Sequence, residues 1–219
     1  MKRLADDLYL LRGFPPNAIN VYLAGGVLID AATRHSGRRI LRQLAGRTVT
    51  AHALTHAHPD HQGASKEVCE ALAIPLWCGE RDVNAMETRD FGQPDHWINR
   101  VIDRVWAGPP RKVDRALREG DEVGGFEVLD VPGHSPGHVA YWRPADRILV
   151  LGDVLNNMNV MTGVPGLHEP RTIFTVDPPR NRESARRLAG LEPALACFGH
   201  GPPLRDPQRL RAFVESLSS

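Results

Sequence analysis

The order of elements predicts a layered protein, α/β or α+β, in which helices cover sheets. Three observations carry that expectation. Short apolar stretches bounded by turn residues alternate with segments of helical pattern in both halves of the chain. No internal repeat or low-complexity stretch interrupts the alternation. And 219 residues with 42% hydrophobic content suffice for one sizeable core or two packed halves, read here as a single domain over residues 1–219.

The elements follow in chain order. "NAINVYLAGGVLIDAA" reads as two strands joined at Gly25 and Gly26, a pair that suits a tight hairpin turn. "SGRRILRQLAG" gives the first helix, "TVTAHALTH" is strand-like, "GASKEVCEALA" is helical and "IPLWCG" is a short buried strand. Residues 88–112 mix aromatics with prolines and glycines, so a helical segment between loops is expected. After Gly120 come three short strands, "GFEVLDVPG", "HVAYWR" and "RILVLGD". "VLNNMNVMTGVPGLHEPRTIFTVDPP" reads as a long irregular segment. A helix in "NRESARRLAGL", a strand in "ALACFGHG" and a closing helix in "PQRLRAFVESL" complete the chain.

Composition narrows the class of partner. A formal net charge of +1 argues against a nucleic-acid or membrane role, because such partners require a basic patch, and leaves a small-molecule substrate as the expected partner. The arginine runs "RHSGRR" and "NRESARRL" read as solvated helix faces. Asp6 and Asp7 stand where a signal peptide would need an apolar region, and "VYLAGGVLI" is too short to span a bilayer, so a cytoplasmic location is expected. Cys69, Cys78 and Cys197 are odd in number and widely spread, which predicts buried free thiols. Nothing in the sequence sets an oligomeric state.

Against this ordinary background "THAHPDHQG", residues 55–63, packs His56, His58, Asp60 and His61 into six positions. Placed at the end of a strand, His56 and His58 would face one side by the period of two; Asp60 and His61 fall in the turn before the next helix. Imidazole and carboxylate donors suit zinc, iron or manganese far better than calcium. Capping the helix with Asp60 would explain only one of the four residues. Three more positions follow predicted strands in Gly-flanked turns: His134 in "VPGHSPGH", Asp153 in "LVLGDV" and His200 in "CFGHGPP". Each alone is an ordinary turn residue, but together they bring five histidines and two aspartates to strand ends.

"THAHPDH", "PGHSPGH", "GD" and "GHG", in this order across nearly the whole chain, resemble the signature of the metallo-β-lactamase superfamily. The resemblance implies an α+β fold, a four-layer αββα sandwich with a metal site at the edge between the two sheets. It implies that His56, His58 and His134 hold one metal, Asp60, His61 and His200 a second, and that Asp153 bridges them. The cofactor is then two divalent transition-metal ions, zinc first, with iron or manganese as alternatives. Such ions make hydroxide available near neutral pH and polarise a carbonyl, which points to hydrolysis of an ester, thioester or lactone, with Asp60 as the catalytic proton acceptor.

The same resemblance divides the substrates. Drug-hydrolysing members usually lack the aspartate found here at Asp153, so a true β-lactamase is not expected. Glyoxalase II enzymes share the ligand set but append a helical region, whereas this chain ends soon after His200; acyl-homoserine lactonases usually carry a tyrosine where this chain has Asn156. Persulfide dioxygenases supply the alternative, an oxidoreductase with one iron on His56, His134 and Asp153. A non-catalytic binding protein would be expected to have lost ligands, and none is lost. His138 is expected to be structural beneath the site and His52 a packed strand residue. His35, His96 and His168 are expected at the surface, with His96 and His168 able to border the pocket. Phe91, Trp97, Trp106, Met158 and Met161 offer an apolar wall.

Overall fold

The computed structural model describes residues 1–217. Its first sheet begins with β1 (Lys2–Ala5) and β2 (Leu8–Leu10), then β3 (Tyr22–Ala24) and β4 (Val27–Ile29). Gly25 and Gly26 join β3 to β4 with φ of +51° and +80°, the left-handed pair that a two-residue hairpin of this twist requires. Helix α1 (Gly37–Leu44) leads to β5 (Ala51–Ala53); α2 (Pro59–Gln62) and α3 (Ser65–Leu72) lead to β6 (Leu76–Gly79). Helices α4 (Val83–Thr88) and α5 (Trp97–Trp106) then precede β7 (Arg115–Leu117). The seven strands lie in sequence order, antiparallel from β1 to β4 and parallel from β4 to β7.

The second sheet holds β8 (Glu122–Val123), β9 (Phe126–Asp130), β10 (Val139–Arg143) and β11 (Ile148–Gly152). After them come the hairpin β12 (Asn156–Met158) and β13 (Pro165–His168), α6 (Pro178–Ala189), β14 (Leu195–Phe198) and α7 (Pro207–Glu215). Its order is β14-β11-β10-β9-β8, with only β14 parallel to its neighbour.

Strand alternation sorts the side chains into layers. Tyr22, Val27 and Ile29 from one sheet meet Phe126, Tyr141 and Val150 from the other in a shared core. The intervening residues face outward: Leu23 and Leu28 pack on Ile40 and Val68 of the helices α1 and α3, while Leu149 and Leu151 pack on Leu188 and Leu210 of α6 and α7. The result is the expected αββα sandwich. Among the described residues no helix is long and apolar enough to cross a membrane. Cys69, Cys78 and Cys197 are buried and unpaired, and burial pushes the Cys197 thiol up to about 12.

Two segments differ from expectation. The strand read in "TVTAHALTH" is limited to Ala51–Ala53, because the Thr55 N–H donates to the Asp30 carboxylate at 2.8 Å and the Ala57 N–H to that of Asp82 at 3.0 Å. Side-chain carboxylates thus pull the chain off the sheet just before the histidines. The segment read as irregular contains β12 and β13, closed by Asn159, whose Oδ1 accepts from the N–H groups of Met161 and Thr162. "NNM" and "PGLH" carry no alternation that would have marked them. The strands β1, β2, β7 and β8 and the helices α2 and α4 were likewise not anticipated; at two to six residues they fall below the length at which periodicity shows.

Candidate metal centre

The loop after β5, the loop after β9 and the turns after β11 and β14 open at the same end of the sandwich, and they bring together all seven predicted ligands. The histidines are all buried, and Asp153 is buried with them. Their donor atoms fall into three overlapping groups, His56/His58/His134, His56/His61/Asp153 and Asp60/His61/His200, each within 4.8 Å. Asp153 lies between the outer two: its Oδ2 is 3.7 Å from His134 Nε2, 3.6 Å from His61 Nε2 and 3.0 Å from His200 Nε2. Asp60 Oδ2 is 3.2 Å from His200 Nε2. His56 and His58 converge with ring centroids 4.6 Å apart, although both lie in the loop beyond the strand rather than on it. Asp60 sits in the first turn of α2, whose N-cap position is His58, so it is not a capping residue.

The outward nitrogen of four rings is fixed by a partner. His56 Nδ1 bonds Thr55 Oγ1 at 3.1 Å, His61 Nδ1 bonds Asp30 Oδ2 at 3.0 Å, His134 Nδ1 bonds Thr175 Oγ1 at 3.2 Å, and His200 Nδ1 bonds the Ala18 carbonyl. Such bonds set the ring orientation and leave the other nitrogen aimed inward. Inward, His58 Nδ1 and His134 Nε2 approach to 2.9 Å, while His56 Nε2, His61 Nε2 and Asp153 Oδ1 are buried with no hydrogen-bond partner. Unpaired buried donors and acceptors of this kind are costly unless something binds them. Bound divalent metal would give such atoms a partner, so the residues present fit the kind of metal the motif implies.

Electrostatics separate the two halves. Burial, reinforced by neighbouring imidazoles, lowers His58 to about 4 and holds His56 and His134 well below the usual range. Burial also opposes charge on His61 and His200, but Asp153 and Asp60 outweigh it and raise His200 to about 10 and His61 well above its usual value. Burial likewise opposes the charged carboxylates, yet His61 and His200 hold both Asp60 and Asp153 below the ordinary carboxylate range. The carboxylates therefore draw positive charge into one half while the other offers neutral imidazoles, the form in which histidine binds metal.

Close packing enforces the arrangement. A Cβ on Gly199 would lie 2.0 Å from Asp153 Oδ1 and 2.7 Å from His61 Cε1, so only glycine lets β14 end this near the cluster. His138 accepts from the Asp153 N–H at 3.3 Å, consistent with its expected place beneath the site. The sequence reading missed Asp30, Thr55, Asp82 and Thr175. Asp30 did carry a signal: it ends an apolar strand, "VLID", much as Asp153 does.

The cluster forms the floor of a cavity of about 580 Å³. Ile98, Ile102 and Trp106 of α5 line one side, Met158, Met161 and Phe174 another, and Arg39, Arg171 and Asn156 supply polar positions. Helix α5 is fastened there by Asn99, which donates to the carbonyls of Pro94 and Ile173 at 2.8 and 2.7 Å. Of the expected wall, Trp106, Met158 and Met161 line the cavity; Phe91 is buried away from it, and Trp97, 64% exposed, faces outward. His96 and His168 are half-buried and do not line the cavity, whereas His35, which was not expected there, does. Arg39 of "RHSGRR" is half-buried on the cavity wall rather than solvated.

A histidine- and aspartate-lined centre at the edge of an αββα sandwich defines a class, and the comparisons agree with it. The profile of the metallo-beta-lactamase superfamily matches residues 14–200, and the chain belongs to that superfamily. It is 32% identical over 200 residues to the probable metallo-hydrolase YflN of Bacillus subtilis (strain 168), spanning 81% of this chain and 76% of that one. It is 30% identical over 115 residues to the hydroxyacylglutathione hydrolase GloC of Haemophilus influenzae, about half of each chain (47% and 48%). The crystal structure of TTHA1623 in a di-iron-bound form is 33% identical, with a TM-score of 0.66 over 94% of this chain and 91% of that one.

Proposed function

We propose that the protein is a dinuclear metal-dependent hydrolase of a carboxylic ester, thioester or lactone. The observation that carries the reading is the pair of donor groups, His56/His58/His134 and Asp60/His61/His200, joined through Asp153 at the floor of an apolar cavity. Zinc is the expected metal, with iron or manganese compatible with the same donors. When bound, two such ions supply Lewis acidity, which acidifies a water and polarises a carbonyl oxygen.

The chain's own residues do the rest. Asp60 is the most open of the seven, its side chain 17% exposed against 8% or less for His61, His134, Asp153 and His200, and it faces the cavity. Its carboxylate is placed to take the proton of an attacking water and to return it to the leaving group. Ile98, Ile102, Trp106 and Phe174 seat the apolar part of the substrate and exclude bulk water. The carboxamide of Asn156, buried with Oδ1 unpartnered, and the guanidinium groups of Arg39 and Arg171 can orient polar or anionic groups of the substrate.

The alternative is an oxidoreductase with one iron on His56, His134 and Asp153; such enzymes can retain the second group, Asp60/His61/His200, so metal content and not the ligand set separates the two readings. The partial likeness to a hydroxyacylglutathione hydrolase supports thioesters as one arm of the test. A panel of esters, thioesters, lactones and β-lactams, run before and after chelation, tests the proposal. Metal-dependent turnover of an ester, thioester or lactone, above that of any β-lactam, is expected. Oxygen consumption by a one-iron protein with no ester turnover would replace it with the oxidoreductase.

A further inference from the structure

Asp82 ends the turn Glu80–Asp82 after β6 and is 1% exposed, yet it is neither a ligand nor on the cavity. All its hydrogen bonds go to the two loops that carry the first group of ligands. Oδ2 accepts from the Ala57 N–H at 3.0 Å and from Ser135 Oγ at 2.7 Å; Oδ1 accepts from the Gly137 N–H at 2.7 Å. Ala57 is the residue between His56 and His58, and Ser135 follows His134. The three segments lie in backbone contact as well: a Cβ on Gly79 would be 2.0 Å from the Gly137 carbonyl oxygen, and one on Gly137 would be 2.3 Å from the Asp82 nitrogen.

None of these bonds reaches Asp60, His61 or His200. His61 is held instead by Asp30, which also takes the N–H and hydroxyl of Thr55 at 2.8 Å each. One buried carboxylate therefore spans the His56–His58 loop and the His134 loop, while Asp30 holds His61 directly and reaches His56 only through Thr55.

We propose that Asp82 is a positioning residue that sets His56 and His58 against His134 and so tunes metal affinity in that half of the centre alone. The inference rests on the cluster holding metal. In Asp82→Asn the amide keeps one acceptor oxygen and its NH₂ faces the Ala57 N–H or the Gly137 N–H, so at least one of the three bonds tying the loops together is lost and a buried N–H is left without an acceptor. Supporting groups of this kind typically change metal affinity by about 10- to 100-fold.

The test is cobalt(II) titration of the metal-free full chain, followed by absorption and by equilibrium dialysis, with no turnover measured. His134→Ala and His200→Ala identify which binding step belongs to which group. Asp82→Asn is expected to weaken by about 10- to 100-fold the step that His134→Ala removes, and to spare the step that His200→Ala removes. Ser135→Ala, which drops one donor, should weaken the same step by less, and it decides the matter if Asp82→Asn does not fold. Unchanged affinity, or equal weakening of both steps, overturns the inference while two-ion uptake by the wild type leaves the metal reading standing. A wild type that takes up no cobalt overturns both.

Discussion

The floor of the cavity and its wall differ in how their side chains are held. At the floor, four of the five predicted ligand histidines have the outward ring nitrogen bonded to a partner, and Asp30 and Asp82 each gather three hydrogen bonds from the loops around them. The wall is built from α5, the β12–β13 hairpin and the loop between β2 and β3, and some of its residues stand in solvent: Phe14 is 86% and Met161 54% exposed. Buried, cross-bonded donors keep one geometry, which the chemistry requires; a loosely packed apolar wall can change its side chains at little cost to the fold. Chemistry should therefore fail abruptly with changes at the floor, and substrate preference should drift with changes at the wall.

The largest effect is expected at Asp60. Asp60→Asn keeps the size and removes both the charge and the proton-accepting oxygen, so turnover should fall by about a hundred- to ten-thousand-fold in a folded protein that retains metal on His56, His58 and His134. Steady-state kinetics and metal analysis on one preparation check it. Normal turnover would place the proton acceptor elsewhere.

Beneath the floor, His52 is buried in β5 with Nδ1 donating to the Leu28 carbonyl at 3.0 Å and Nε2 accepting from Ser65 Oγ at 2.8 Å, a pattern that needs the neutral ring. Burial lowers it to about 4 from 6.5. The unfolded chain thus binds the extra proton first, so His52's contribution is complete above pH 6.5 and is lost as pH falls from there to 4, by about 3 kcal/mol. Urea unfolding of metal-free wild type and His52→Gln at pH 7 and pH 4.5 should show a shallower acid loss in the variant. Parallel curves would mean that His52 does not carry it.

Gly199→Ala probes the floor from below. A methyl 2.0 Å from Asp153 Oδ1 must displace the Asp153 carboxylate, and metal affinity should drop by about 10- to 100-fold while the fold persists. Binding isotherms decide. At the wall the smallest effect is expected: Met161→Ala should change unfolding stability by less than about 0.5 kcal/mol and alter the order of preference among esters of different acyl length, leaving metal content unchanged.

The same contrast decided what the sequence could disclose. Seven donors in recognisable turns, "THAHPDH", "GHS", "GD" and "GHG", were legible because each follows a strand and none has a better structural use there. Asp82 was not, because its partners lie 25, 53 and 55 residues away and nothing local marks it. Nor was the wall. Trp97 and Trp106 stand nine residues apart on α5, so the helical period puts them on opposite faces, but which face meets the cavity depends on the long-range anchoring of α5 through Asn99 to the Ile173 carbonyl, which nothing local marks. His96 belongs to that helix as its cap, accepting from the Ile98 N–H at 3.2 Å, which is why it is half-buried yet away from the cavity.

The proposal of a dinuclear centre is tested most directly by counting metal against activity. Protein purified without added metal is stripped in steps with a chelator, and ions per chain are measured beside turnover of the best ester, thioester or lactone. Two ions per chain in the fully active protein, with activity falling as the first of them leaves, is the predicted result. Full activity in protein holding at most one ion per chain would contradict it.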